Sequence, residues 1–137
     1  MALALVLFAA GCGSHASTKT ATSVAGTSAA QASPVRVTIS APTHRPRVNA
    51  LWPVTVRVAN AAGQPLPAML TMRILFGGTP VGKVDNGRVY HFVGSWREMR
   101  GQEITWPTAS RGQPLQFEAI VKAQGRTVKR TWAIRAR

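Results

Sequence analysis

The residues best placed to do chemistry lie between Gly94 and Gly112, GSWREMRGQEITWPTASRG, where aromatics, both charges and turn residues converge. Trp96 and Trp106, with Arg97, Arg100 and Arg111, are the ingredients of a stacking and cationic surface for a sugar or an acidic polymer. The same two rings would equally serve as packing beneath a long connection. Glu98 and Glu103 invite comparison with the acid/base pair of a glycosidase. Their odd separation puts them on opposite faces of a strand, and neither Asp nor His stands near them. Ser95 follows Gly94 without the G-x-S-x-G turn that arms a serine nucleophile. His44, His91, Met69, Met72 and Met99 are donors for a soft metal, but they form no H-x-M or M-x-M cluster. No catalytic residue, cofactor or metal is expected.

Charge is the strongest compositional signal. The 137 residues carry 17 Lys+Arg against 4 Asp+Glu, a formal +13. Lys19 is the one basic residue before Pro34, and Asp85, Glu98, Glu103 and Glu118 all follow it, so the part from Pro34 onward carries 16 − 4 = +12. Such a surplus favours polyanionic surroundings: anionic lipid, acidic wall polymer or nucleic acid. On neighbouring strands Arg57, Arg73, Lys122 and Lys129 are expected to share one positive sheet face, binding anions in a salt-dependent way. A generally solvated basic surface, enriched in Arg by codon bias, is the plainer alternative.

At the other end of the chain, Ala2–Ala10 is an apolar run followed by Gly11 and by Cys12, the only cysteine. Nine residues of helix reach about 14 Å, well short of the ~30 Å of bilayer hydrocarbon. The length suits the apolar core of a secretory signal. Ala9-Ala10-Gly11-Cys12 resembles the lipobox of bacterial lipoproteins. That resemblance implies diacylation of the Cys12 thiol, cleavage before it, and anchoring at the outer face of the cell membrane through two acyl chains. No Lys or Arg precedes the run, so a positive n-region is expected upstream of Met1. A lone cysteine also permits no internal disulfide, leaving the fold to packing.

Residues 13–33, GSHASTKTATSVAGTSAAQAS, are small and polar with Val24 as the largest apolar side chain. They bury too little surface to offset the entropy of ordering and are expected to be a flexible linker. Its root-mean-square span would be roughly 25 Å.

From residue 34 to 137 the hydrophobic period is two. Val35, Val37 and Ile39 alternate with polar residues; so do Val54, Val56 and Val58, then Leu70, Met72, Ile74 and Phe76. Leu115, Phe117, Ala119 and Val121 form another inward set, and Val128, Trp132 and Ile134 the last. Turn signals fall at Asn60–Pro65, Gly77–Pro80, Asp85-Asn86-Gly87 and Gln124-Gly125, the third of these predicting a hairpin. Seven or eight short strands predict an all-β, antiparallel immunoglobulin-like β-sandwich, with Trp52 or Trp132 as its central aromatic. The opening PVRVTISAP and the WPVTVRV strand resemble immunoglobulin/fibronectin-III-like domains of lipoproteins from high-GC Gram-positive bacteria. That likeness implies a fold and a location but no activity. The expectation is a non-enzymatic, lipid-anchored envelope protein whose basic domain is a structural or interaction module. It would contact the membrane through its anchor and then anionic lipid, acidic wall polymer or a protein partner. Nucleic acid ranks lower because the anchor places the domain outside the cell. A carbohydrate- or small-ligand-binding module built on Trp96 and Trp106 is the alternative.

Overall fold

The structure, a computed structural model, describes residues 34–137. The signal segment, Cys12 and the linker lie outside the described residues.

The domain is an all-β, antiparallel sandwich. The smaller sheet has the order β1 (Arg36–Ser40), β3 (Thr55–Ala59), β7 (Ser95–Arg97). The larger has β10 (Arg126–Ile134), β9 (Leu115–Ala123), β4 (Pro67–Phe76), β5 (Thr79–Lys83). On the same edge of β4, β6 (Tyr90–Val93) pairs with its first half and β5 with its second. A small ladder joins β2 (Leu51–Trp52) to β8 (Ile104–Thr105). The count of ten exceeds the expected seven or eight. β2 and β8 are two-residue pieces, and β7 and β8 fall in a stretch whose sequence has no clear period.

Alternation places the core. Val56 and Val58 of β3 meet Leu70 and Met72 of β4 and Phe117, Ala119 and Val121 of β9 between the sheets. The central aromatic is Trp52, fully buried and edge-on to Trp106 at 5.5 Å and to Phe117 at 5.8 Å. Its indole N–H donates to the Thr43 carbonyl at 3.0 Å. Trp132 is half-buried at the sandwich edge, where the His44 ring stacks on it at 4.1 Å.

Two expectations are corrected. Of Ile74 and Phe76, expected to continue the inward row of β4, Ile74 does pack against the core but Phe76 does not, and the ladder with β5 shifts register between Ile74 and Leu75. Val81 of β5 is the extra residue there, Phe76 at the strand end is 46% exposed, and Leu75 is buried at 4% but outside the core between the sheets. Asp85-Asn86-Gly87 does not close a hairpin. All three residues have positive φ in a 3-10 turn at Val84–Gly87. The chain thus continues from β5 to β6 along the same edge of β4 instead of folding one back on the other.

Candidate anion-binding surface

The sandwich divides the basic residues by sheet. Arg57 of β3 stands between Thr38 of β1 and Ser95 of β7, and Arg97 stands opposite Thr55. With Arg36 they form an outer face of exposed arginines and hydroxyls on the smaller sheet. Arg73, Lys122 and Lys129 belong to the outer face of the larger sheet instead. The single positive face expected of Arg57, Arg73, Lys122 and Lys129 is therefore two faces on opposite sides of the core. Sequence alternation says which residues point outward but not which sheet carries them.

Arg73 is further set apart by its partner. It lies directly opposite Glu118, and its Nε donates to the carboxylate. Glu118 is buried at 5% exposure, so this pair is neutralised and covered rather than offered to a ligand. Lys122 and Lys129 are exposed diagonal neighbours on β9 and β10, Lys122 flanked by Thr127 and the apolar Met69 and Lys129 opposite the apolar Ile120.

The aromatic surface is also corrected. Trp96 is 8% exposed and Trp106 2%. Trp96 packs on Tyr90 at 4.9 Å and Trp106 on Trp52, so the rings neither meet nor present a face to a sugar. Arg97 alternates with buried Trp96 and Glu98 and points away from them; Arg100 sits on the exposed turn between Met99 and Gln102.

Glu98 and Glu103 do not converge. Glu98 is buried; its Oε2 accepts the Ile104 N–H at 3.1 Å, and Oε1 has no partner among the described residues. Burial pushes its pKa up to about 7, against the pull of the Ile104 N–H, with Asp85 and Glu103 adding repulsion. Glu103 accepts the Gly101 N–H. Among the metal-donor candidates, Met69 and His91 face each other across β4 and β6, Met72 is buried, and Met99 is exposed in its loop. The His44 Nδ1–H donates to the Ala133 carbonyl at 2.7 Å.

One concentration of charge was not anticipated. Arg111 lines a depression of about 390 Å³ with Arg47, Val48 and Arg137. The backbone brings them together. Residues 44–48 run beside 133–137: Arg135 N–H donates to the His44 carbonyl, Arg137 N–H to the Pro46 carbonyl, and Val48 N–H to the Arg137 carbonyl, each at 2.9 Å. Gly112 N–H joins from the other side, to the Ala136 carbonyl at 2.8 Å. Pro46 and Ala136 are buried, while Arg45, Arg47, Arg135 and Arg137 are exposed. The signal was present as two short period-two patterns, Arg45-Pro46-Arg47 and Arg135-Ala136-Arg137. What the sequence lacks is any sign that segments ninety residues apart are neighbours.

No protein-family model matches this chain, and no curated protein matches it either.

Proposed function

We propose that this chain is a non-enzymatic interaction module of the cell envelope, held at the outer face of the membrane by an acylated Cys12 and the linker 13–33, whose sandwich gathers an acidic polymer. One observation supports the binding half of this reading above the rest. Of the 16 Lys and Arg from Pro34 onward, only Arg73 is ion-paired among the described residues. The four acids are spent elsewhere: Glu118 on Arg73, Asp85 on the Tyr90 hydroxyl, Glu98 on the Ile104 N–H and Glu103 on the Gly101 N–H. The other fifteen cations are exposed, Arg130 among them bonding through Nε to the Val37 carbonyl. A surface so unbalanced attracts polyanions, and counterion release makes the attraction fall steeply with salt.

Two measurements on the full chain test the two halves. Intact mass of the protein from a membrane fraction should show a diacylated N-terminal Cys12, and Cys12→Ser should release the protein. An unmodified Cys12 removes the envelope location and makes nucleic acid the first partner to try. Co-sedimentation with an acidic polymer should weaken linearly in log salt, and retention that ignores salt rejects the electrostatic reading.

A further inference from the structure

We propose that Arg45 with Arg135, and Arg47 with Arg137, together with Arg111, form a row of phosphate sites for a linear phosphodiester polymer with a polyol backbone. This deepens the polyanion reading above and rests on it. The bonds Arg137 N–H to Pro46 and Val48 N–H to Arg137 are those of a parallel pair, which sets Arg47 and Arg137 side by side. The Arg135 N–H bond to His44 sets Arg45 beside Arg135 in the same way; Pro46 has no N–H to complete the ladder. Neighbouring strands are ~4.8 Å apart and successive same-side residues roughly 6.6 Å apart. Four guanidinium groups thus make a two-by-two grid, with their backbone fixed by the burial of Pro46 and Ala136 between them.

Like charges directly opposite on neighbouring strands repel, and arginine cannot shed its charge to relieve them. No acidic side chain among the described residues is bonded to any of the five. Were residue 137 the last, its α-carboxylate would offset one of the five charges and leave four. An arrangement that costs stability and recurs at both pairs is the mark of a binding surface.

The shape of the grid selects the anion. One planar carboxylate is satisfied by one guanidinium fork. A tetrahedral phosphate can accept from two forks at once, and each cross-strand pair roots two arginines on neighbouring strands within reach of one anion. The depression at Arg47, Arg111 and Arg137 has room for a phosphate and its substituents rather than for a bare ion. Two pairs in line suit successive phosphates of one strand. The backbone of that polymer carries no bases: among the described residues Trp52 and Trp106 nearby are buried, and the exposed ring beside the grid is the single His44 stacked on Trp132, not the succession of platforms on which the bases of single-stranded nucleic acid stack.

The test compares two double variants of the full chain that remove equal charge. Arg47→Gln with Arg137→Gln alters the grid; Arg57→Gln with Arg97→Gln alters the smaller sheet's face. Binding of poly(glycerol phosphate) should weaken at least about tenfold in the first, with the log–log salt slope smaller by about two, and less than about threefold in the second. Thermal melts should show the first variant folded and no less stable than the wild type, because it relieves repulsion. Equal weakening in both variants overturns the grid while leaving a polyanion-binding module intact; a wild type that binds no anionic polymer removes both. Polyglutamate of matched charge binding as tightly overturns the phosphate assignment. Single-stranded DNA, or vesicles of anionic phospholipid, binding more tightly than poly(glycerol phosphate) overturns the polyol polymer as the source of the phosphate.

Discussion

Gly94 passes against Pro65 so closely that a Cβ on residue 94 would lie 2.5 Å from the Pro65 Cβ. Gly94 is the point where the chain leaves the edge of β4 in the larger sheet and enters the smaller one as β7. Its N–H donates to the Leu66 carbonyl at 3.0 Å, and its carbonyl accepts the Val58 N–H at 2.7 Å, so it stitches both sheets. The residue also has φ +71°.

Gly94→Ala should therefore destabilise on two counts, a left-handed backbone and a clash with a ring that cannot rotate away. The expected loss is about 2–5 kcal/mol, from roughly 1–2 for the conformation and 1–3 for overpacking. Gly101 has φ +86° and nothing within 4 Å of its Cβ position, so Gly101→Ala should cost only the conformational part, about 1–2 kcal/mol. Denaturant unfolding of the two variants separates the terms. Equal losses would show that Pro65 yields and that the sheet crossing is not pinned there.

The sandwich was legible because its strands keep a period of two over several residues. Val56 and Val58, or Phe117, Ala119 and Val121, have few other ways to share a face. The reading failed where the period breaks. The inward row of β4 ends at Ile74, Phe76 is exposed at the strand end, and nothing in the run Arg73-Ile74-Leu75-Phe76 marks where the row stops. Asp85-Asn86-Gly87 carries the residues that tolerate positive φ, and it does adopt positive φ, but local chemistry cannot say whether the chain then reverses or continues. The candidate site suffered most, since it depends on which strands are neighbours. Arg57 and Arg73 look equivalent in sequence, yet they stand on opposite sheets; Arg47 and Arg137 look unrelated, yet their backbones are bonded.

Trp52 and Trp132 should separate cleanly on truncation. Trp52 is enclosed, touches two aromatic rings and uses its N–H, so Trp52→Ala should cost about 3–5 kcal/mol. Trp132 is half-buried beneath an exposed histidine, and Trp132→Ala should cost roughly 1.5–3 kcal/mol. His44→Ala should remove the stack and the contact with the Ala133 carbonyl for about 1 kcal/mol and shift Trp132 fluorescence. A Trp132→Ala loss as large as that of Trp52→Ala would mean that the edge of β10 is as enclosed as the centre.

Glu98 should make stability fall as pH rises toward neutrality. The unfolded chain gives up this proton near 4.5 and the folded chain near 7, so between those values the native state holds the extra proton. The contribution is complete below pH 4.5 and is lost as pH rises through 7. With the carboxyl partly screened by solvent, its size should be about 1–2 kcal/mol. Glu98→Gln keeps the shape of the protonated acid and an oxygen for the Ile104 N–H, and it does not ionise. The melting temperature of the wild type minus that of the variant should therefore decline between pH 4.5 and 8, while Glu103→Gln should leave the decline in place. A difference that is flat across that range would mean that the buried carboxyl ionises without penalty, and that water reaches Oε1 through the Met99–Glu103 turn.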